Sequence, residues 1–166
     1  MATTTTTTLL SPALSPSENI GATIDDLIPK DYAFVVIVFV LYYFLNFYMA
    51  MQVGSARTKY KVEYPALYAL ESENENANLF NCIQRGHQNC LEMMPIFFFM
   101  MGLGGIRHPI IAASIGLAYV LGRLMYFIGY STGDPSNRHK LGGGVSFAAI
   151  FGLVGVCMSF GVRLLI

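Results

Sequence analysis

Two short runs of polar side chains stand out against an apolar background. Arg85, Asn89 and Glu92 fall at i, i+4 and i+7, one stripe of a helix, and Arg123, Tyr126 and Tyr130 fall at i, i+3 and i+7, one stripe of another. Two guanidinium groups, an amide and two phenols offer more donors than the one carboxylate can accept. Such a surplus suits a multiply anionic ligand whose carboxylates are gripped in bidentate fashion. A structural pairing of Arg85 with Glu92 would explain those two residues and leave the others over. Arg57 and Arg138 lie in polar connecting segments and can join the same constellation.

The elements that carry these stripes are read from where charge is missing. Tyr32 through Val53 holds no charged side chain, and at ~1.5 Å per residue this stretch covers about 33 Å, enough for a ~30 Å hydrocarbon core. Between Met93 and Gly133 only Arg107 and Arg123 are charged, and from Leu141 to Ile166 only Arg163. Met93 to Met101 is strongly apolar but too short to span alone, so its helix starts earlier and carries Arg85 and Glu92 with it. The reading is four membrane helices over 32–54, 77–105, 109–131 and 142–165. Backbone groups in lipid must be satisfied internally, which makes helices the default, and the alternation of a barrel strand is missing. Short connections then favour an all-α, antiparallel four-helix bundle, an integral membrane domain over 31–166.

Composition agrees. The chain has 166 residues, 54% apolar and only 12% charged, with a net charge of zero and a mean hydropathy of +0.52. Typical soluble domains are ~25% charged. The deficit argues against a soluble globular domain and a disordered chain, and zero net charge argues against a nucleic-acid partner. Three cysteines are too few for a disulfide framework. Residues 1–30, with Thr3 to Thr8 followed by a Ser/Pro-rich stretch, read as a disordered tail with an interfacial segment around 24–28. No basic residue precedes Lys30, which supports neither a secretory nor an Arg-rich mitochondrial leader.

Counting spans brings the polar residues together. Four spans put the first and third loops on one membrane side. Arg85 and Glu92 lie just after the first loop and Arg123, Tyr126 and Tyr130 just before the third, so all share one leaflet with Arg57 and Arg138. Intramembrane charges cost ~2.5–3.5 kcal/mol each on insertion scales and therefore face the bundle or a wet cavity. Deeper in, Phe97, Phe98, Phe99 and nearby methionines form an apolar wall, and Pro95 should kink its helix. The two loops carry Arg57, Lys59, Lys61, Arg138 and Lys140 against Lys30, Arg107 and Arg163 opposite, a five-to-three excess that leans toward a cytosolic polar face without fixing the orientation.

Other signals carry less. Cys82, His87 and Cys90 do not stack as metal ligands, so no metal is expected, and the two cysteines read as packing residues. Gly102, Gly104 and Gly105 follow no strand and do not make a dinucleotide fingerprint. Gly144, Ala148 and Gly152, with Ala118 and Gly122, form small-residue stripes for close helix packing. No nucleophile dyad is present, so a nucleophile would arrive with the ligand.

On these residues the chain resembles the MAPEG family, membrane-associated proteins in eicosanoid and glutathione metabolism. The similar stretches are Lys59 to Pro65, Phe80 to Arg85, His87-Gln88-Asn89 with Leu91-Glu92, His108-Pro109, Gly122-Arg123, Tyr126, Gly129-Tyr130, Thr132-Gly133 and Pro135-Ser136. The R-x-x-x-N-x-x-E and R-x-x-Y-x-x-G-Y runs are the more specific part, and the likeness covers roughly 32 to 160. It implies a homotrimer in the endoplasmic reticulum, with the mitochondrial outer membrane or another organelle as alternatives, and glutathione bound between subunits. Arg57, Arg85, Asn89, Glu92, Arg123, Tyr126 and Tyr130 would hold the tripeptide. A third-loop arginine activates the thiol in one member; Arg138 is the nearest match, one residue offset, with Arg123 as fallback and Tyr126 or Tyr130 donating a hydrogen bond. Met93 stands where that member has a ligand-binding tyrosine, and His87 replaces a glutamine.

The expected activity is a glutathione transferase with glutathione peroxidase activity, acting on lipophilic electrophiles or lipid hydroperoxides drawn from membrane lipid. A non-catalytic lipid-binding adaptor of the same family is the alternative, and a small carrier is a third class.

Overall fold

The computed structural model describes residues 28–166, and the bundle occupies the compact unit Asp31–Ile166. The disordered tail and most of the interfacial segment expected near the N-terminus fall outside the described residues. Four long helices follow one another: α1 (Tyr32–Tyr60), α2 (Ala77–Arg107), α3 (Pro109–Tyr130) and α4 (Gly144–Leu165). All four are long and apolar enough to cross a membrane. The protein is an all-α four-helix bundle of the membrane type.

The boundaries differ from expectation at two places, each for a local reason. The first helix runs on past residue 54 because Ser55 to Tyr60 holds no breaker, and its last turn takes Arg57 and Lys59, cations suited to a helix C-terminus. It stops at Lys61, whose φ of 54° is left-handed, with the Val62 N–H returned to the Arg57 carbonyl. The second difference lies in the third loop, where His139–Gly143 winds into a π turn that leads straight into α4.

The helices α2 and α3 form the centre. Each packs on all three others, whereas among the described residues α1 and α4 do not touch. On α1 the buried side holds Val35, Val38, Tyr42, Leu45, Met49, Val53 and Ala56, in steps of three or four, with Asn46 beside them. Its other side, with Phe34, Ile37, Leu41, Phe44 and Met51, is exposed and equally apolar, as a lipid-facing surface must be. Close approach is set by small residues. A Cβ on Gly122 would meet the Ser146 backbone nitrogen at 2.6 Å, and one on Gly105 would meet Val35 at 2.8 Å. On the small-residue stripe of α4, expected to pack within or between protomers, Gly152 faces Ile115 of its own chain, while Gly144 faces nothing within 4 Å there.

Beneath the polar stripes lies an aromatic stack. Phe97 lies flat on Tyr119 with ring centroids 4.3 Å apart, Tyr42 packs on Phe97 at 4.8 Å, and Phe39 meets Phe98 edge-on at 4.9 Å. The wall expected of Phe97, Phe98 and Phe99 is therefore divided. Successive helical positions point about 100° apart, so Phe97 is buried, Phe98 half-buried and Phe99 exposed. Helix α2 continues through Pro95, which cannot donate to the Leu91 carbonyl. The adjacent Cys90 carbonyl is tied across to α1, accepting the Tyr42 hydroxyl at 2.8 Å.

Candidate functional site

The two polar stripes meet between α2 and α3 in one continuous chain of contacts. Arg85 Nη1 pairs with Glu92 Oε1 at 2.7 Å, along its own helix. Asn89 donates to the other Glu92 oxygen at 3.3 Å, and Arg123 Nη2 donates across the helix interface to Asn89 Oδ1 at 2.8 Å. The Arg123 guanidinium lies 4.6 Å from the Tyr126 ring centroid and 5.9 Å from that of Tyr119. Tyr126 packs on Tyr130 at 5.7 Å, and the Arg138 guanidinium sits 5.5 Å from the Tyr130 ring. Arg85, Asn89, Glu92, Arg123, Tyr126, Tyr130 and Arg138 are thus linked in sequence.

Exposure divides them into two layers. Arg85 and Glu92 have side chains 40% and 45% exposed, and Asn89, Tyr130 and Arg138 are half-buried. Arg123 is 1% exposed, with Tyr126 closed in beside it. In the single subunit Arg123 therefore acts from behind Asn89 rather than on the open surface. It has no carboxylate partner, and its Nε has no hydrogen-bond acceptor among the described residues. A buried guanidinium in that condition leaves a positive field directed at whatever rests on Asn89. Arg57 is not brought into the chain. It donates to the Ala66 carbonyl at 2.8 Å and lies over Tyr64 and Phe80, with no hydrogen bond to the Arg85–Glu92 group among the described residues.

The third loop brings Arg138 inward because two glycines give it room. A Cβ on Gly129 would collide with the Asn137 carbonyl and lie 3.0 Å from the Arg138 Cα. A Cβ on Gly143 would collide with the Arg138 carbonyl and lie 3.1 Å from the Tyr126 Cα. The loop backbone thus lies directly on α3. Arg138 donates from Nη1 to the Pro135 carbonyl and from Nε to His139 Nε2 at 3.1 Å, which leaves Nη2 without a contact inside the loop.

The MAPEG family model matches residues 35–159, the whole bundle apart from its ends. The chain belongs to the MAPEG family. It is 34% identical over 119 residues to human microsomal glutathione S-transferase 2, covering 68% of this chain and 75% of that protein. It is also 39% identical over 88 residues to bovine leukotriene C4 synthase, covering 52% of this chain and 54% of that one. A further likeness, 37% over 83 residues, is to an uncharacterized protein of Synechocystis, covering 49% of this chain and 56% of that one. MAPEG membership together with four spanning helices makes this an integral membrane protein.

Within this MAPEG bundle, residues outside the expected set reach the same place. Gln88 stands three residues after Arg85 and four before Glu92, on their stripe, and its side chain accepts the Tyr68 hydroxyl from the first loop. Helical spacing alone would have found Gln88. Tyr68 carries no comparable signal, because only the folded loop brings it back onto α2. Met93 packs against the main core rather than standing free.

The third loop has its own lock in Asp134. Its carboxylate accepts the Ser136 backbone N–H and hydroxyl, both at 2.8 Å, with Lys140 at 4.0 Å. These contacts hold its pKa below the usual carboxylate range. A depressed folded-state pKa means that this contribution is present above the unfolded value of ~3.9 and is lost as pH falls through the lowered folded value. Asp134→Asn should therefore loosen the loop at neutral pH, and acid should loosen the wild type only at pH below ~4. Amide hydrogen exchange at Ser136 to Arg138, which should rise in the variant at pH 7, checks this.

Proposed function

We propose that this protein is a glutathione transferase with glutathione peroxidase activity, working at the membrane surface on lipophilic electrophiles and lipid hydroperoxides. The observation that carries the reading is the buried, carboxylate-free Arg123 behind an exposed Arg85–Asn89–Glu92 stripe. Glutathione is a peptide with two carboxylates, an ammonium group and a thiol. Its zwitterionic end can replace both halves of the Arg85–Glu92 pair, carboxylate to guanidinium and ammonium to carboxylate, so the desolvation of either group is repaid. The name of the relative microsomal glutathione S-transferase 2 supports the same co-substrate.

The thiol then lies toward α3 and the third loop, where Arg138 and Tyr130 stand half-buried. A free thiol with a pKa of ~8.5 is mostly protonated at neutral pH, and a neighbouring guanidinium favours the thiolate. In conjugation the thiolate sulfur bonds to an electrophilic carbon, whose leaving group departs with the electron pair. In peroxide reduction the sulfur takes the distal hydroxyl oxygen as the O–O bond breaks, giving a sulfenic acid and an alkoxide that takes a proton from water to become the alcohol. A second glutathione converts the sulfenic acid to glutathione disulfide and water. Arg123 supports the anion through Asn89, and Arg57 fixes the first loop beside the site. A homotrimer in the endoplasmic reticulum, completing the exposed side of the α2 stripe with a neighbouring subunit, fits this reading. Within the family the motifs most resemble microsomal glutathione S-transferase 3.

The test is made on purified protein in detergent. Adding glutathione at pH 7 should produce the ultraviolet absorbance of bound thiolate. Turnover should follow with an aryl halide and with cumene hydroperoxide, assayed in parallel. Glutathione binding with neither thiolate nor turnover would replace the enzyme by a lipid-binding adaptor.

A further inference from the structure

The first loop is pinned to α2 at one residue from both sides. Asn81 accepts the Ala69 N–H at 2.8 Å and donates to the Ala69 carbonyl at 2.9 Å. Arg57 holds the Ala66 carbonyl as a second tie. With Ala66 and Ala69 fixed, Tyr68 between them is directed along α2, two helical turns beyond Asn81. There its hydroxyl donates to Gln88 Oε1. Gln88 lies between Arg85 and Glu92 on α2, so the phenol reaches the helix at the level of the exposed ion pair.

The Tyr68 ring is 38% exposed and is not needed to hold the loop, which Asn81 and Arg57 already secure. Its donor therefore adds a rotatable O–H at the point where Arg85 would receive a carboxylate. Resting on Gln88 keeps that O–H satisfied and aimed until an anion offers a stronger acceptor. We propose that Tyr68 is a further glutathione-binding residue, brought by the first loop, whose phenol donates to the tripeptide carboxylate held by Arg85. This inference rests on the glutathione reading above. It assigns the first loop a direct part in affinity, and that part is separate from thiol activation.

The experiment compares wild type with Tyr68→Phe, which keeps the ring and removes only the O–H. Glutathione affinity by titration calorimetry and KM should both weaken about tenfold, the scale of one hydrogen bond to a charged acceptor, while kcat stays within about twofold. Glutathione diethyl ester, whose carboxylates are masked, should bind the two proteins equally. Asn81→Leu, which releases Ala69, should reproduce the KM effect. An unchanged KM in Tyr68→Phe, a loss confined to kcat, or an equal loss for the ester overturns the assignment while wild type still binds glutathione. Failure of wild type itself to bind glutathione would overturn the glutathione reading and this assignment together.

Discussion

Arg138→Ala is expected to lower glutathione turnover at pH 7 on the order of 25-fold with KM nearly unchanged. The size follows from ionisation. A thiol of pKa ~8.5 is ~3% thiolate at pH 7, and lowering it by ~2 units, within reach of one adjacent guanidinium, makes it ~75% thiolate. The sign fixes the pH dependence as well. Raising the pH to ~9 ionises even an unassisted thiol, so the gap between variant and wild type should close to less than about twofold. Among the described residues the Arg138 side chain hydrogen-bonds only to loop groups and lies over the Tyr130 ring, so folding should be spared. Rate profiles from pH 6 to 9 with a non-ionisable electrophile decide the matter. A defect equally large at every pH would remove Arg138 from thiol activation and leave Arg123 in that role.

The second large effect comes from two neighbouring glycines that look interchangeable in the sequence. Gly143→Ala should bring turnover down to the Arg138→Ala level and cost ~1–3 kcal/mol of stability, because the new methyl would occupy the space of the Arg138 carbonyl. Only backbone can move to relieve that clash, and the loop that moves carries Arg138. Gly144→Ala meets nothing within 4 Å and should be neutral or slightly stabilising. Thermal unfolding in detergent and glutathione turnover, measured on both variants, check the contrast. Equal behaviour of the two would mean that the loop does not depend on this close approach.

The spans and the polar stripes were legible because a charge within an apolar run, or its lack, is a strong signal in lipid. Arg85, Asn89 and Glu92 could be placed on one side of a helix by spacing alone, and the Arg123–Asn89 contact follows from antiparallel spans of similar length. What faces inward on α1 was not legible. Val35 and Val38 are buried while Val36 and Ile37 are exposed, and nothing in residue type separates them, since lipid and core are equally apolar. Spacing puts Arg123 on the stripe with Tyr126 and Tyr130, but residue type says nothing of depth, and in the single subunit the bundle closes over it. Tyr68 depends on a two-sided amide clamp made by Asn81, thirteen residues away in the chain, and the π turn depends on steric room at Gly129 and Gly143. Such features arise from backbone approach, which side-chain patterns do not record.

The flat stacking of Phe97 on Tyr119, with Tyr42 against them, also bears on which kinds of function the bundle can serve. These three rings are almost wholly buried and lie between the polar half of the molecule and its far end. A hydrophilic solute that enters beside Arg85 meets a plug, and crossing the bilayer through one subunit would require unstacking it. On the reading proposed above, the water-soluble partner would be taken up and released on the same side of these rings.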